Sequence, residues 1–270
     1  MKKIALILVF ALVTMALASC GAGKPNDDTD LKIEDLLENK DEEGNEEKPN
    51  VSVKYDCVYE NYTYDLYVDD NYIVITKYDF GTDEEAAGDA ATAAEDEEVI
   101  ETIDLTIPAT IDGVPVKKIA KGAFEKNNVL ASVTVPAGVT EIAAEAFWFS
   151  TSLTSVKLPA SLTLLGERVF AYCPALTALD VPASVTEIPA GLCIECTALE
   201  KLTFGNKVTS IGENAFAFCT ALKTVNLGTS LTTIGAGAFK WCTALTKADL
   251  PASSKDVAAD AFAHCDLLGK

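Results

Sequence analysis

The sequence is poor in the residues that most enzyme and nucleic-acid sites need. It has a single histidine, His264, so a Ser-His or Cys-His dyad has only one candidate base. No glycine-rich phosphate loop follows a predicted strand. Lysine and arginine together number 21 against 41 acidic residues, and no basic stripe is present to neutralise phosphates. We therefore expect no catalytic site, no cofactor and no nucleic-acid partner.

The longest apolar segment at the N-terminus, residues 4–16, is too short for a comfortable transmembrane helix. It follows two lysines and precedes the tetrapeptide LASC, which ends at Cys20; this is the order of parts in a secretory signal peptide. The tetrapeptide resembles the lipobox of bacterial lipoproteins, in which the cysteine is lipidated and becomes the mature N-terminus. The resemblance implies a lipoprotein signal peptide over residues 1–19 and a membrane anchor on Cys20. The alternative is an ordinary secretory signal with a chance cysteine.

The net charge of −20 is concentrated in two polar segments. Residues 21–50 hold 11 acidic and 4 basic residues, and residues 82–98 hold 8 acidic and none basic. This composition predicts an acidic, disordered tether over residues 20–50, behind the lipidated cysteine, and a flexible acidic loop over residues 82–98. The carboxylates of the loop lack the alternating spacing of a calcium site, so we expect no metal there.

Tyrosine is concentrated in one part of the chain, because seven of the eight tyrosines fall within residues 51–81. They alternate with valine, isoleucine and threonine on both sides of an Asp-Asp-Asn turn at residues 69–71, a pattern that predicts a β-hairpin. A tyrosine cluster can be a binding surface, but half-buried tyrosines on a small sheet also suit the end of a stack of repeats. We expect a β cap over residues 51–102, interrupted by the acidic loop.

A strict period of 23 residues organises residues 103–270. Repeats begin without insertion or deletion at six leucines, Leu130, Leu153, Leu176, Leu199, Leu222 and Leu245. A period this regular predicts a solenoid, in which each repeat buries its apolar side against its neighbours. The first repeat, residues 103–129, is longer and contains the turn IDGVPV and the phrase GAF.

That turn, followed by I-x-x-G-A-F and by repeats of the form L-x-x-V-x-L-P, resembles the BspA-type leucine-rich repeat family of bacterial surface proteins. The resemblance runs from about residue 64 to residue 268. It implies a leucine-rich repeat solenoid of short parallel β-strands with single helical turns and an N-terminal β-hairpin cap. It also implies an outward-facing protein of the bacterial cell envelope, on the outer or the cytoplasmic membrane, that adheres to host or bacterial surface proteins. The alternative is a structural or scaffold subunit of an envelope complex.

Two columns of equivalent residues are predicted to fill the solenoid. The first is a phenylalanine ladder, interrupted by Cys193, where we expect a packing defect or a shifted Leu192. The second is a cysteine ladder in which Ser150 takes one place; in-register side chains of parallel rungs suit disulfides badly, so we expect small structural thiols. Cys193 and Cys196 form a C-x-x-C pair, but no second pair or neighbouring histidine completes a zinc site. The ladder cysteines are Cys173, Cys196, Cys219, Cys242 and Cys265.

The residue before each ladder cysteine forms a further column, Phe149, Tyr172, Glu195, Phe218, Trp241 and His264. If these side chains face solvent, they form an aromatic stripe that contacts a protein or a glycan. Alternatively, they tuck between the turns and stack on one another. The candidate partner-binding residues are the aromatic members Phe149, Tyr172, Phe218 and Trp241, together with Lys201 and Thr203 on the outward face of the inner strands.

Overall fold

The computed structural model describes residues 56–59, 62–67, 72–79, 102–111 and 113–269. The predicted signal peptide, the lipidated Cys20, the tether and the acidic loop of residues 82–98 lie outside the described residues and stay predictions. In the described ranges, no helix is both long and apolar enough to cross a membrane.

The described chain is built from short β-strands joined by turns. The strands are β1 (Asp56–Tyr59), β2 (Tyr62–Tyr67), β3 (Tyr72–Tyr78), β4 (Ile103–Thr106), β5 (Thr110–Ile111), β6 (Val114–Ile119), β7 (Leu130–Thr134), β8 (Glu141–Ile142), β9 (Ser155–Lys157), β10 (Leu164–Leu165), β11 (Ala178–Asp180), β12 (Glu187–Ile188), β13 (Lys201–Thr203), β14 (Ser210–Ile211), β15 (Thr224–Val225), β16 (Thr233–Ile234), β17 (Lys247–Ala248) and β18 (Asp256–Val257).

Each repeat forms one rung of a parallel stack. We number the rungs from 1 to 7, as residues 103–129, 130–152, 153–175, 176–198, 199–221, 222–244 and 245–268. Equivalent residues of neighbouring rungs pair in register, as Leu179 does with Leu202. The first sheet runs β4-β7-β9-β11-β13-β15-β17 along one side. The predicted leucine-rich repeat solenoid is confirmed.

The second sheet lies on another side of the rungs and is divided in two. One part joins β6, β8 and β10, and the other joins β12, β14, β16 and β18. Both parts keep the 23-residue step, since Ile142 is opposite Leu165 and Ile188 is opposite Ile211. The sheet is therefore interrupted between rung 3 and rung 4.

The predicted N-terminal hairpin is formed by β2 and β3, which pair antiparallel from Tyr67 opposite Tyr72 to Tyr62 opposite Tyr78. The last strand of this cap, β3, pairs in parallel with β6 of rung 1. The ring of Tyr78 stacks on that of Phe124 with centroids 5.8 Å apart. The cap therefore continues both the sheet and the aromatic core of rung 1.

The residues predicted to form single helical turns form tight turns instead. In rung 3, the N–H groups of Phe170 and Tyr172 donate to carbonyls of rung 4, at 2.9 Å and 2.8 Å, whereas helical N–H groups would donate to carbonyls four residues back. Arg168 and Tyr172 have φ of 55° and 58°, which is outside the helical region. Because alternate N–H groups point to the next rung, this side of the solenoid is also a hydrogen-bonded ladder.

The phenylalanine ladder is buried and stacked along the core. Phe124 to Phe147 and Phe147 to Phe170 have ring centroids 5.0 Å and 5.5 Å apart. At the interruption, Cys193 and the preceding Leu192 are both fully buried. Leu192 stands in a buried column that otherwise contains Ala123, Ala146, Val169, Ala215, Ala238 and Ala261. The volume that Cys193 lacks is thus partly supplied one residue earlier, as expected of a shifted Leu192.

The cysteine ladder is a ladder of hydrogen-bond donors. Each ladder thiol donates to the carbonyl of the phenylalanine-column residue one rung earlier, as Cys173 does to Phe147 at 3.2 Å and Cys196 to Phe170 at 3.0 Å. Ser150 makes the same bond with its hydroxyl, to Phe124 at 3.2 Å. The donors satisfy carbonyl groups that are buried away from water. Serine and cysteine can both donate a hydrogen bond, so the presence of Ser150 in the cysteine column was a sequence signal for this role. Sequence reasoning missed it.

Four of the core thiols have raised pKa values, whereas the hydrogen bond with Cys242 lowers the pKa of Cys265 in the last rung. Burial raises the pKa of Cys173, Cys193 and Cys219 well above the ordinary range. A hydrogen bond with Cys265, together with burial, raises the pKa of Cys242. Redox-active cysteines are partly exposed, whereas Cys193 and Cys196 of the C-x-x-C pair are both fully buried.

Candidate partner-binding edge

The column that precedes the ladder cysteines has an unusual backbone. All of its residues have left-handed φ values, namely Lys126 (55°), Phe149 (58°), Tyr172 (58°), Glu195 (62°), Phe218 (62°), Trp241 (62°) and His264 (62°). This conformation costs an L-residue about 1–2 kcal/mol and favours glycine or asparagine. A second left-handed column, four residues earlier, does contain Gly122, Gly191, Asn214 and Gly237. The first column contains neither residue type.

Three aromatic residues of this column are exposed, Phe218 is half-buried, and the rings of neighbouring rungs contact one another. Phe149, Tyr172 and Trp241 have 46%, 37% and 38% of their surface exposed. The rings of Phe149 and Tyr172 lie 6.2 Å apart, and those of Phe218 and Trp241 lie 6.2 Å apart and nearly parallel, at 9°. We name this surface the aromatic edge.

The aromatic edge has two patches. The first patch, on rungs 2 and 3, contains Phe149 and Tyr172 with Trp148, whose ring lies 5.7 Å and 6.4 Å from theirs. The second patch, on rungs 5 to 7, contains Phe218, Trp241 and His264. Glu195 of rung 4 separates them.

Two members of these patches were missed as candidate binding residues. The imidazole of His264 stacks on Trp241 with centroids 3.9 Å apart, so the only histidine belongs to the second patch. Trp148 completes the first patch; its position beside Phe149 was the available signal. The aromatic candidates from the sequence are therefore brought together, but in two pairs rather than in one stripe.

Charged side chains flank the first patch. The ammonium group of Lys126 lies 5.5 Å from the centroid of the Trp148 ring, within the range of a cation–π interaction. Glu145 forms ion pairs with Lys121 at 3.0 Å and with Arg168 at 3.3 Å. The hydrogen bond from Lys121 lowers the pKa of Glu145. This ionic network links rungs 1, 2 and 3.

Lys201 and Thr203 lie on a different side of the rung from the aromatic edge. Both belong to β13 of the first sheet, and both contact Asp180 of β11. Lys201 lies 3.8 Å from the Asp180 carboxylate, and the Thr203 hydroxyl donates a hydrogen bond to it. These contacts join neighbouring rungs, and the structure does not bring Lys201 and Thr203 together with the aromatic candidates.

Comparison with known families identifies the repeats. Residues 103–204 and 193–270 match the family described as BspA type leucine rich repeat region, in six copies. The match extends over more than half of the chain. The chain belongs to this family. No curated protein matches it at a significant level.

Several solved bacterial structures are similar. A leucine-rich repeat protein from Eubacterium ventriosum is 26% identical, with a TM-score of 0.57 over 76% of this chain and 50% of that one. The leucine rich repeat protein of T. pallidum is 24% identical, with a TM-score of 0.50 over 71% of this chain and 91% of that one. The pneumococcal vaccine antigen PcpA is 22% identical, with a TM-score of 0.60 over 75% and 51%. The chain spans about half the length of the first and the third.

Proposed function

We propose that this BspA-type solenoid is a lipid-anchored bacterial surface protein that binds other proteins through its aromatic edge. The observation that carries the proposal is the left-handed column of large aromatic side chains, of which Phe149, Tyr172 and Trp241 are exposed. Host or bacterial surface proteins are the proposed partners, and a glycan is the alternative ligand. No catalytic activity is proposed.

The aromatic edge combines a strained backbone with partly exposed rings. Glycine or asparagine at Trp241 would relieve about 1–2 kcal/mol of left-handed strain. Stacking of aromatic pairs contributes about 0.5–1.5 kcal/mol beyond the burial of ring area. Protein interfaces are enriched in tyrosine, tryptophan and phenylalanine, because rigid rings bury a large area with little loss of conformational entropy. The 38% of the Trp241 surface that stays exposed is available to a partner.

The proposed location rests on the N-terminal sequence. Acyl chains on Cys20 would hold the protein at a membrane, since each buried methylene contributes about 0.8 kcal/mol. The acidic segment of residues 20–50 would then separate the solenoid from the membrane surface. Labelling with radioactive palmitate during bacterial expression tests the anchor. We expect label on the full chain and none on Cys20→Ser; label that persists in the variant contradicts lipidation at this residue.

Adherence of bacteria that display the full chain tests the aromatic edge. The bacteria are applied to a panel of immobilised extracellular-matrix proteins and purified bacterial surface proteins, and the adherent cells are counted. We expect Phe218→Ala with Trp241→Gly to reduce adherence by about tenfold or more, the loss of a single interface hot spot. The glycine is placed where the left-handed backbone accepts it, so the variant should keep its fold.

Leu250→Ala is the matched control, because Leu250 is 49% exposed but lies away from the aromatic edge. It should leave adherence unchanged. If the double variant adheres normally but loses envelope proteins that co-purify with the wild type, the adhesion proposal fails and the scaffold alternative replaces it. Loss of adherence in the Leu250→Ala control would show that any exposed apolar residue suffices, which also contradicts the proposal.

A further inference from the structure

One proline interrupts the second sheet. The column of residues after the second-sheet strand donates its N–H groups to isoleucine carbonyls of the preceding rung. Apart from Pro189, these bonds are Ala143 to Ile119 (2.9 Å), Gly166 to Ile142 (2.8 Å), Gly212 to Ile188 (2.8 Å), Gly235 to Ile211 (2.8 Å) and Ala258 to Ile234 (2.9 Å). Pro189 of rung 4 has no N–H group, so it cannot donate to the carbonyl of Leu165.

Glycine positions of this column lie very close to the preceding rung. A Cβ atom built on Gly166 would lie 2.2 Å from the backbone N of Ala144, and one built on Gly212 would lie 2.5 Å from that of Ala190. Ala143 and Ala258 nevertheless keep the ladder bond with a Cβ atom in place, so a side chain in this column does not by itself part the rungs. The missing N–H group of Pro189 is therefore what removes the hydrogen bond between rungs 3 and 4.

The adjacent threonine column confirms that the rungs separate. Its N–H groups and hydroxyls both donate to the threonine carbonyl of the preceding rung, as in Thr163 to Thr140 (3.0 Å and 3.2 Å) and Thr209 to Thr186 (2.8 Å and 3.2 Å). Within the described part of the chain, Thr186 makes neither bond to Thr163. Its N–H group and the Thr163 carbonyl are thus free to bind a ligand.

The separation is a wedge rather than a complete break. On the turn side, rungs 3 and 4 remain joined by the bond from Phe170 to Leu192 at 2.9 Å and by that from Tyr172 to Ile194 at 2.8 Å. On the first sheet, β9 and β11 pair at a single position, Ser155 opposite Ala178, whereas β7 and β9 pair at three. The rungs are closed at the aromatic edge and open on the second sheet.

A groove with a volume of about 370 Å³ lies at this opening. Its lining includes the buried side chains of Leu165 and Ile188, and the Leu164 side chain, which is 52% exposed. Glu187, which also lines the groove, is exposed, and no cation of the described residues forms an ion pair with it. The groove therefore offers apolar contacts, free backbone groups and one uncompensated negative charge.

We propose that this groove binds an extended peptide segment in which apolar residues alternate with lysine or arginine. An extended chain carries N–H and C=O groups along both edges, so it can accept from Thr186 and donate to the carbonyls of Thr163 and Leu165. Its alternate apolar side chains contact Leu164, and a basic side chain pairs with Glu187. The groove is a second interaction site, independent of the aromatic edge.

Binding of three capped hexapeptides to the full chain tests the proposal by fluorescence anisotropy. The first alternates valine with lysine, the second alternates valine with glutamate, and the third is the first with its backbone nitrogens methylated. We expect the first to bind at least about tenfold more tightly than the other two. Equal binding of the first and third peptides, or no binding of the first, overturns the proposal.

Pro189→Gly gives the rung the residue that Gly166, Gly212 and Gly235 have in the same column. It should restore the ladder, close the groove and weaken the valine–lysine peptide by at least about tenfold. Glu187→Gln should weaken peptide binding by a smaller factor. Pro174→Gly, which replaces an exposed proline of rung 3, should not change it.

The proposal is contradicted if Pro189→Gly binds the peptide as the wild type does while its Thr186 amide exchanges more slowly, because slower exchange shows that the groove has closed. Trp241→Gly should bind the peptide normally, which separates this site from the aromatic edge.

Discussion

Rung 4 shares the leucine and cysteine columns of its neighbour rung 5 but differs from it in three others. Rung 5 has Gly212 in the backbone ladder, Phe216 in the core and Phe218 on the aromatic edge. Rung 4 has Pro189, Cys193 and Glu195 in these places. The consequences are unequal. The core remains closed because Leu192 supplies volume next to Cys193, whereas the second sheet is interrupted because no neighbouring group can replace the N–H that Pro189 lacks.

The largest expected effect concerns the core. Phe216→Ala in regular rung 5 should lower the free energy of unfolding by about 3–5 kcal/mol, from lost burial and a residual cavity. Cys193→Phe in rung 4 should also destabilise, by about 1–3 kcal/mol, because Leu192 already occupies the space. Adding Leu192→Ala gives rung 4 the pattern of the other rungs and should recover most of that loss. Urea unfolding measures all three; a stabilising effect of Cys193→Phe alone would contradict the compensation by Leu192.

The donor ladder should respond equally in both kinds of rung. Cys219 donates to the carbonyl of Cys193 in rung 4, and Cys242 donates to that of Phe216 in rung 5, each at 3.2 Å. Replacing either by alanine should cost about 1–3 kcal/mol, because a buried carbonyl loses its donor. Serine, the residue at position 150, should cost less.

Thiol titration of the folded protein is the accompanying measurement. Because the pKa values of Cys219 and Cys242 are raised, both thiols should react slowly without denaturant and rapidly with it. Fast reaction in the folded state, or serine variants as unstable as the alanine variants, would contradict the donor role.

The backbone difference should appear in amide hydrogen exchange. The Thr209 amide is bonded to Thr186 at 2.8 Å, whereas the Thr186 amide makes no such bond to Thr163. We expect Thr186 to exchange at least about tenfold faster, equivalent to about 1.4 kcal/mol of local protection. Pro189→Gly should remove most of the difference. Similar protection of Thr186 and Thr209 in the wild type would show that the rungs are not separated.

The smallest expected effect is electrostatic. The ionic network around Glu145 stops at rung 4, where the same column has Gly191. Since the folded-state pKa of Glu145 is lowered, its stabilisation is present above the ordinary glutamate pKa of about 4.3 and is lost as the pH falls through the folded-state value. Glu145→Gln should therefore cost under about 1 kcal/mol at neutral pH and nothing in strong acid. A deficit that persists in strong acid would point to packing instead.

Side-chain periodicity predicted the solenoid, its rungs and the phenylalanine ladder, because burial selects the same residue type at each step of 23. The hairpin was predicted separately, from the alternation of tyrosines around the turn at residues 69–71. It did not predict the tight turns, since glycine and asparagine usually signal left-handed backbone and this chain has phenylalanine, tyrosine and tryptophan there. The effect of Pro189 was hidden for a related reason. Proline ends strands elsewhere in the repeat, and only the direction of each N–H group shows that position 189 needs a donor.

The interrupted ladder also has a consequence for cooperativity. The stability of a repeat array is approximately a sum of rung energies and couplings between adjacent rungs. The coupling between rungs 3 and 4 has fewer hydrogen bonds than the others, so it marks a boundary between two cooperative units. Under tension, the capped N-terminal rungs and the C-terminal rungs would then unfold as two separate events.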